Sequence, residues 1–316
     1  MLRYAVRRLA YMPLIMVVVS SLLFVMLRLP FAQDPVPAML GTDATVQQQE
    51  VLRHELRLDR PIPEQYIAWV KDMATGQLGK AFRSGQPVWP EVKRRLPVTF
   101  EIMSMALLFS TAIGVSVGVL SAIRQNTVAD YVARFAAVFG QSVPEFFLLV
   151  LLIVLPSMWW TYSPPVGGHI SIFAEPGENL RLYLSPAILL GFAHAAGMMR
   201  LTRSTMLEVL RQDYVRTARA KGLKESRVLF GHALRNALVP LVTLFGAQVG
   251  ALFFGSLVFE TIFSVQGVGL YFFRALQASD MPVIQFLSLY TAVVVISVNL
   301  IVDLSYALID PHVTYH

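Results

Sequence analysis

The sequence contains no cysteine, and this absence excludes disulfide bonds, thiolate metal sites and cysteine nucleophiles together. Its six histidines are scattered without the spacing of metal ligands, so we predict no metal site. Charged residues are scarce, at 15% of the 316 residues, whereas 55% are hydrophobic and the mean hydropathy is +0.58. This composition argues against a water-soluble globular domain and predicts a polytopic membrane protein.

Nucleotide-binding and enzymatic motifs are missing as well. A P-loop requires Gly, four residues and then Gly-Lys-Ser or Gly-Lys-Thr, so that backbone amides surround the phosphates. The one Gly-Lys pair, Gly79-Lys80, is followed by Ala81. HExxH is absent, and no paired carboxylates share a helical spacing within an apolar segment. We expect no catalytic residue here, and ATP, if it drives this protein, must bind to another chain.

Long apolar segments are abundant, and about 20 residues suffice for a helix to cross the hydrocarbon core of a bilayer. The first such segment is too long for the core of a signal peptide, so we predict that it is a retained transmembrane helix. The sequence predicts an all-α protein with six transmembrane helices, near residues 9–27, 98–122, 131–160, 184–203, 237–260 and 283–309.

Lysine and arginine near the helix ends predict the orientation, because they are enriched in cytoplasmic loops. With a cytoplasmic N-terminus, the inward segments hold basic residues near the start, Arg124 and Arg134, and nine basic residues from Arg200 to Arg235. The two shorter outer loops have one arginine each. We therefore expect both termini to lie in the cytoplasm.

The outer segment, residues 30–96, has internal structure of its own. Residues 45–58 are typical of a short helix with Thr45 as N-cap, and residues 63–73 predict a second helix. We expect a small ordered subdomain on the outer face. Its role is either packing or the docking of a delivered substrate or its carrier.

The basic segment at residues 206–240 is the largest inward-facing element. Ala218 and Gly222 are four residues apart and would share one thin helical face, while Arg216, Arg219 and Lys221 extend outward. Such a helix either inserts into a groove on another protein or lies on anionic lipid headgroups. Charge and spacing alone leave both interpretations open.

This segment resembles the cytoplasmic EAA loop of permeases of ATP-binding-cassette (ABC) importers, in the form DYVRTARAKGL…HALRNAL.P of the dipeptide and oligopeptide permease family. Arg216 replaces the acidic residue for which the loop is named, as is common in the peptide subfamily. Four further blocks resemble the family in the same order, which makes the resemblance highly specific. They are LDRPIPEQYIAWVKDMATGQLGKAF (58–82), RLPVTFEI (95–102), VFETIFSVQGVG (258–269) and NLIVDLSYALIDP (299–311).

The resemblance implies a type I ABC importer permease fold in a bacterial or archaeal inner membrane. The implied partners are a second homologous permease subunit, two ATP-binding subunits that carry ATP and Mg, and an external substrate-binding protein; no cofactor or nucleic acid would bind to this chain. The implied divisions are residues 1–29 (tail and first helix), 30–96 (external subdomain), 97–309 (permease core with a coupling loop at about 204–236) and 310–316 (cytoplasmic tail).

The resemblance also implies a coupling helix from about Gln212 to Gly222, seated in a cleft of one ATPase and moved when the ATPase pair closes. We expect a bulky residue at Ala218 or Gly222 to abolish transport and substrate-stimulated ATP hydrolysis without affecting membrane insertion. The implied ATPase-coupling residues are Tyr214, Arg216, Thr217, Ala218, Arg219, Ala220, Lys221, Gly222 and Leu223.

Polar groups inside the predicted spans are candidates for the translocation path, because a charge at mid-bilayer costs about 2.5 to 3.5 kcal/mol and usually faces a cavity or a partner. Gly140 and Pro144 break the third span beside Glu145. Glu145 either favours a positive cargo group, such as a peptide amino terminus, or pairs with the sister subunit. The candidate path residues are Gln141, Pro144, Glu145, His194 and Glu260.

Structural roles compete with transport at several of these positions. An interhelical hydrogen bond is the alternative for His194, which lies among small residues. Glu101 and Glu260 lie near helix ends, where capping or loop pairing is the alternative. Asp303 is predicted to pair with a basic loop residue.

Peptides are the cargo that the resemblance favours. Related permeases also import nickel chelates, glutathione and other small solutes, so another solute is the first alternative. An ion-coupled secondary transporter that works without ATPases is a further alternative, but it leaves the segment at 206–240 unexplained.

Overall fold

The computed structural model describes residues 2–27, 35–40, 44–82, 84–159, 167 and 169–309, and within them every regular element is a helix. Lys80 and Pro87 form an isolated β-bridge between two of these helices. The helices are α1 (Leu2–Met26), α2 (Pro35–Leu40), α3 (Val46–Glu55), α4 (Ile62–Ala74), α5 (Val88–Ile123), α6 (Val128–Ser142), α7 (Glu145–Trp159), α8 (Pro176–Leu210), α9 (Asp213–Ala220), a π-helix (Arg227–Ala233), α10 (Leu234–Ile262), α11 (Val268–Gln277) and α12 (Met281–Ile309).

Apolar helices long enough to cross a membrane account for most of this described part. Four pass by length and composition, namely α5, α8, the π-helix continued by α10, and α12, and the pair α6 and α7 makes a fifth if it counts as one span. The apolar stretch described in α1, Ala10–Met26, is shorter. The all-α class is confirmed, with four to five apolar spans; the sixth span stays a prediction.

The third predicted span is broken, as its Gly and Pro residues indicated. Helix α6 ends at Ser142, α7 begins at Glu145, and their axes differ by 94°. Pro144 disfavours the helical conformation at the preceding residue and has no N–H with which to continue the α6 ladder. The break therefore leaves Glu145 in the first turn of a new helix.

Helices α5 and α8 pack most extensively, and glycines allow the close approach. A Cβ atom at Gly114 would lie 2.6 Å from the Cβ of Met198, and one at Gly118 would lie 2.6 Å from the Cβ of Thr202. Small residues four apart permit such backbone proximity between membrane helices. This pair forms the centre of the bundle, against which α10 and α6 also pack.

The two helices predicted in the outer segment are confirmed. Thr45 caps α3 in a capping box with Gln48. Helix α4 packs on α1, where the ring of Phe24 lies 5.5 Å from those of Tyr66 and Trp69. The short helices α2 and α11 were not predicted, because neither has a long apolar run. The tail at residues 310–316 lies outside the described residues.

Candidate coupling and translocation sites

The predicted coupling helix corresponds to α9, which lies between the end of α8 and the π-helix. Val215 and Ala218 face inward, at 0% and 7% exposure, and form a small cluster with Val228. The other residues of α9 are exposed. One face of α9 is thus bound to its own chain, and the opposite face is open to a partner.

The helix ends earlier than predicted. Lys221 is the C-cap and Gly222 follows with φ of +75°. The N–H of Gly222 donates to the carbonyl of Arg219 at 2.9 Å, and the N–H of Leu223 donates to that of Ala218 at 3.4 Å. This pattern is a Schellman motif, in which glycine is preferred because of its left-handed conformation.

The prediction that Ala218 and Gly222 share one helical face is therefore wrong. Ala218 packs against the chain itself, because its side of the amphipathic helix is the apolar one. Gly222 lies beyond the helix, and apart from its two chain neighbours no described residue has an atom within 4 Å of the position of a Cβ. Gly222 allows the turn that ends the helix, and Ala218 packs against Val215 and Val228 of the same chain.

The exposed face of α9 is held by polar contacts within the segment. Thr217 Oγ1 donates to the carbonyl of Asp213 at 2.9 Å, and the guanidinium of Arg216 lies 3.3 Å from the Asp213 carboxylate. The amide of Asn236 on α10 donates to the hydroxyl of Tyr214 at 2.7 Å. Ala220 and Lys221 are exposed at the end of the helix, whereas Leu223 packs under it.

Arg219 is linked to the segment that follows α9. Its guanidinium lies 2.7 Å from the carboxylate of Glu225, and this hydrogen bond lowers the pKa of Glu225 and raises that of Arg219. Both side chains are about half exposed, so the pair contributes little to stability. The ion pair fixes the direction of the Arg219 guanidinium on the exposed face of α9.

A chain of polar contacts connects four helices near the break of the third span. His194 Nε2 on α8 lies 3.3 Å from Glu145 Oε1 on α7. The amide of Gln248 on α10 donates to the carbonyl of His194 at 2.9 Å, and Ser110 Oγ on α5 donates to Gln248 Oε1 at 3.4 Å. A Cβ at Gly255 would lie 3.3 Å from Glu145 Oε2, so α10 also borders the carboxylate.

The sequence points to Glu145 and His194 separately, and the structure brings them together. His194 contacts another helix, in keeping with its structural alternative, and its place on the translocation path stays a prediction. Ser110 and Gln248 were missed, although a glutamine in the apolar run around position 248 was a usable signal. The Glu145 carboxylate is 28% exposed, so it keeps an open side while His194 contacts it.

Gln141 and Pro144 lie at the same break. The guanidinium of Arg200 on α8 donates to the side-chain oxygen of Gln141, and Pro144 itself is exposed. Gly140 packs closely on α8, since a Cβ there would lie 3.0 Å from the Phe192 ring. The break is therefore anchored to α8 on the α6 side.

Glu260 belongs to a different set of contacts. It is fully buried, and its carboxylate accepts hydrogen bonds from Thr99 Oγ1 at 2.6 Å and from the N–H of Leu270 at 2.9 Å. A Cβ at Gly267 would lie 2.2 Å from its carboxyl carbon, so only glycine fits beside it. These contacts match the structural alternative for Glu260, in which its side chain pairs with a loop. Glu260 exposes no surface to a path in this conformation.

Glu101 also pairs with a loop, as its alternative predicted. His169 Nε2 lies 3.3 Å from Glu101 Oε2, and the amide of Asn179 donates to Oε1. The side chain of Asp303 lies outside the described part of the structure. Within that part, no group of three or more His, Asp or Glu side chains is arranged to hold a metal ion.

A buried ion pair at the start of α6 was not predicted. Asp130 is fully buried and accepts hydrogen bonds from Arg203 Nε at 2.8 Å and Nη2 at 2.9 Å, from Ser121 Oγ at 2.5 Å and from the N–H of Asn126 at 2.9 Å. The pair joins α6 to the end of α8 that leads into α9. Sequence patterns place both residues near helix ends but do not reveal that they meet.

Comparison with protein families accounts for this architecture. A model of the "binding-protein-dependent transport system inner membrane component" matches residues 114–315. A second model, for the N-terminal part of such membrane components, matches residues 1–103. The chain belongs to this family of membrane transport components. It is therefore a multi-pass membrane permease. The resemblance to permeases of the dipeptide and oligopeptide family, first seen in the EAA loop, is confirmed.

Curated relatives match this permease over its whole length. The dipeptide transport system permease protein DppB of Escherichia coli (strain K12) is 38% identical over 339 residues, covering 100% of this chain and 99% of the relative. The di/tripeptide transport system permease protein DppB of Pseudomonas aeruginosa (strain UCBPP-PA14) is 38% identical with the same coverage. The oligopeptide transport system permease protein AppB of Bacillus subtilis (strain 168) is 37% identical and covers 100% of both chains.

The fold is similar to that of a solved transporter. A chain of the MetNI methionine ABC transporter, in an inward facing conformation, matches with a TM-score of 0.53 at 16% identity. The match covers 71% of this chain and 98% of the other. At this identity the likeness concerns the fold, which is that of an ABC importer permease.

Proposed function

We propose that this permease is the membrane-spanning subunit of an ATP-driven ABC importer that translocates di- or oligopeptides delivered by an external substrate-binding protein. The observation that carries the proposal is the full-length identity of 37% to 38% to dipeptide, di/tripeptide and oligopeptide permease proteins of three organisms. These relatives favour peptides over nickel chelates or glutathione, and an ABC permease family argues against an ion-coupled carrier that works alone.

The proposed assembly contains a second homologous permease subunit, two ATP-binding subunits and the external carrier. ATP and Mg would bind to the ATP-binding subunits, because this sequence has no P-loop. The exposed face of α9 would then be the contact with one of these subunits. Basic loops support an inner-membrane orientation with both termini in the cytoplasm and with α3 and α4 in an external subdomain.

Movement of α9 would reach the membrane part through a continuous set of packed elements. Val215 and Ala218 pack on Val228, which fixes α9 to the π-helix that continues into α10. Helix α8 leads directly into α9 and carries Arg203 and His194. A rigid displacement of α9 by a closing ATPase pair would therefore displace α8 and α10 on both sides of Glu145.

The proposed path runs beside the broken span. Glu145 is partly exposed at the 94° break, and three other helices contribute polar groups next to it. Polar groups and a helix break at membrane depth are tolerated where they border a cavity or are satisfied by neighbours. We propose that Glu145, with Gln141, Pro144 and His194 around it, borders the path in the transporting conformations.

Deletion of the gene in its own organism tests the function. We expect uptake of a radiolabelled dipeptide or tripeptide to fall to background and to return when the chain is supplied on a plasmid. Uptake should also stop when the ATP-binding subunits are inactivated. Peptide uptake that continues unchanged in the deletion strain would refute the proposed function.

A further inference from the structure

The ends of three helices meet at the buried carboxylate of Asp130, close to α9. Asp130 lies in the first turn of α6, Ser121 near the end of α5 donates to one of its oxygens, and Arg203 of α8 donates to both. Arg203 lies two helical turns, or about 10 Å, before the end of α8, and α9 begins at Asp213 directly after that end. The junction therefore lies on the direct connection between α9 and the bundle.

The ion pair defines a geometry more than it adds stability. Arg203 Nε and Nη2 contact the two oxygens of Asp130 at 2.8 and 2.9 Å, and such a bidentate contact fixes direction as well as distance. A buried ion pair adds little net stability compared with apolar residues of similar volume. Asp130 also accepts the N–H of Asn126, so the same carboxylate holds the turn between α5 and α6.

Apolar packing continues the junction toward the broken span. Ala137 of α6 packs against Ala196 and Met199 of α8. A Cβ at Gly140 would lie 3.3 Å from the Cβ of Ala196. Helix α6 ends just beyond this contact, before Glu145 begins α7. Helix α6 is thus attached to α8 along its length, from the ion pair to the break.

We propose that Asp130 and Arg203 are positioning residues for transport: the pair makes α6, and with it the break beside Glu145, follow the displacement of α9. The bidentate contact keeps α6 and α8 aligned while α8 moves, whereas contacts between small apolar side chains alone permit packed helices to slide. The proposal rests on the proposed function, because it takes an ATP-binding subunit as the partner that moves α9.

ATP hydrolysis and peptide uptake by the reconstituted importer test this role. The sample is the full-length chain with its second permease subunit and ATP-binding subunits in proteoliposomes, supplied with the carrier and a radiolabelled dipeptide. The double variant Asp130→Asn with Arg203→Met removes the bidentate contact. The new amide keeps an oxygen for the N–H of Asn126 and donates to the Ser121 hydroxyl.

We expect the double variant to hydrolyse ATP at the wild-type basal rate. Stimulation of hydrolysis by the loaded carrier, and peptide uptake, should each fall about fivefold or more, which is the size of a typical coupling between sites. Arg203→Lys keeps the charge but replaces the planar fork by a point charge. It should lose part of the stimulation, and it tests the proposal where the double variant does not accumulate in the membrane.

Two controls separate coupling from stability. Arg134→Met should keep uptake and stimulation, because Arg134 lies 3.7 Å from the same carboxylate but belongs to α6 itself. Thr99→Val removes a buried hydrogen bond to Glu260, about 30 Å along α5 from Ser121. It should lower the unfolding temperature without changing the ratio of stimulated to basal hydrolysis.

Spin labels follow the movement itself. The chain has no cysteine, so two introduced cysteines are unique labelling positions on it. Gln125→Cys lies in the turn before α6 and Arg211→Cys directly after α8, and both positions are exposed. We expect the distance between the labels to stay constant on ATP binding in the otherwise native chain and to change in the double variant.

Two results would overturn the proposal. One is wild-type uptake and stimulation in the folded double variant, or in Arg203→Lys where only that variant is recovered. The other is an equal loss of stimulation in Thr99→Val, which would leave the pair a purely structural role. Failure of the proposed function is a separate result, since the unsubstituted chain would then support no peptide uptake.

Discussion

At the scale of single residues, the buried carboxylate of Glu260 illustrates how a polar group is stabilised inside this fold. Thr99 Oγ1 donates to it at 2.6 Å and itself accepts the N–H of Val268 at 2.8 Å, while the N–H of Leu270 donates to the other oxygen. The side chain thus ties α10 to α5 and to the start of α11. Its contribution is structural in the conformation described.

Glu260→Ala should destabilise the permease by about 2 kcal/mol or more, because it leaves buried donors without acceptors. Glu260→Gln keeps one acceptor oxygen and should cost less. Thermal unfolding of the purified chain, followed by fluorescence, measures both effects. If the alanine variant unfolds at the wild-type temperature, these hydrogen bonds do not contribute to stability.

Substitutions at Gly222 test whether the coupling segment requires the left-handed backbone conformation or only a small side chain at this position. Its φ of +75° costs a β-branched residue about 1 to 2 kcal/mol, whereas asparagine tolerates this region. We expect Gly222→Asn to retain most peptide uptake and Gly222→Val to lose it, at equal amounts of protein in the membrane. Equal loss in both variants would show that the contact surface, rather than the turn, requires glycine.

At the scale of elements, the junction of α6 with α8 depends on one buried ion pair. Asp130 is fully buried and receives two hydrogen bonds from Arg203. Charges buried in this way are costly when unpaired, although a pair itself adds little net stability. The position of α6, and with it the broken span, therefore depends on both residues being present.

Arg203→Met should destabilise the chain by about 3 to 5 kcal/mol, because Asp130 remains buried without its main partner. The double variant Asp130→Asn with Arg203→Met should be more stable than the single one. Arg134→Met is the control and should cost less than about 1 kcal/mol, since Arg134 is 41% exposed and 3.7 Å from Asp130. Denaturation midpoints that fail to rise in the double variant would contradict the argument.

Ala218 provides a test of how α9 is attached. Ala218→Leu should overpack the cluster with Val215 and Val228 and cost about 1 to 3 kcal/mol, with loss of peptide uptake. Val228→Ala in the same chain makes room and should restore part of the uptake. Absence of any rescue would indicate that the leucine acts on the partner surface instead.

At the scale of the whole molecule, the proposed transport path depends on how four helices meet around Glu145. The polar contacts from Ser110 through Gln248 and His194 to Glu145 involve α5, α10, α8 and α7. None of these helices alone makes a site. The path proposed here is therefore a property of the bundle, and its selectivity is best tested with cargo charge.

Glu145→Gln should reduce uptake of peptides with a free amino terminus or lysine more than uptake of N-acetylated peptides of the same length. The reason is that the carboxylate attracts a positive group in a poorly solvated environment. Competition uptake in whole cells measures the ratio between the two peptide classes. An unchanged ratio would remove the specificity role and leave Glu145 as a structural partner of His194.

The sequence was informative wherever chemistry is local. Pro144 predicted the break of the third span, and Thr45 predicted the start of α3, because proline and N-capping residues act on their own turn of chain. The recurrence of five family blocks in order predicted the family. Ala218 and Gly222 were misinterpreted, because four-residue spacing implies a shared face only if both residues lie in the same helix.

By itself, the sequence determined that this protein is an all-α membrane permease without a P-loop, because hydrophobic length and the absence of motifs are properties of the chain alone. Only the tertiary structure decided which polar groups meet. The contacts of His194 with Glu145, of Arg203 with Asp130 and of Glu260 with Thr99 join residues from 49 to 161 positions apart. Such distances depend on how helices pack, and spacing along one helix contains no information about its neighbours.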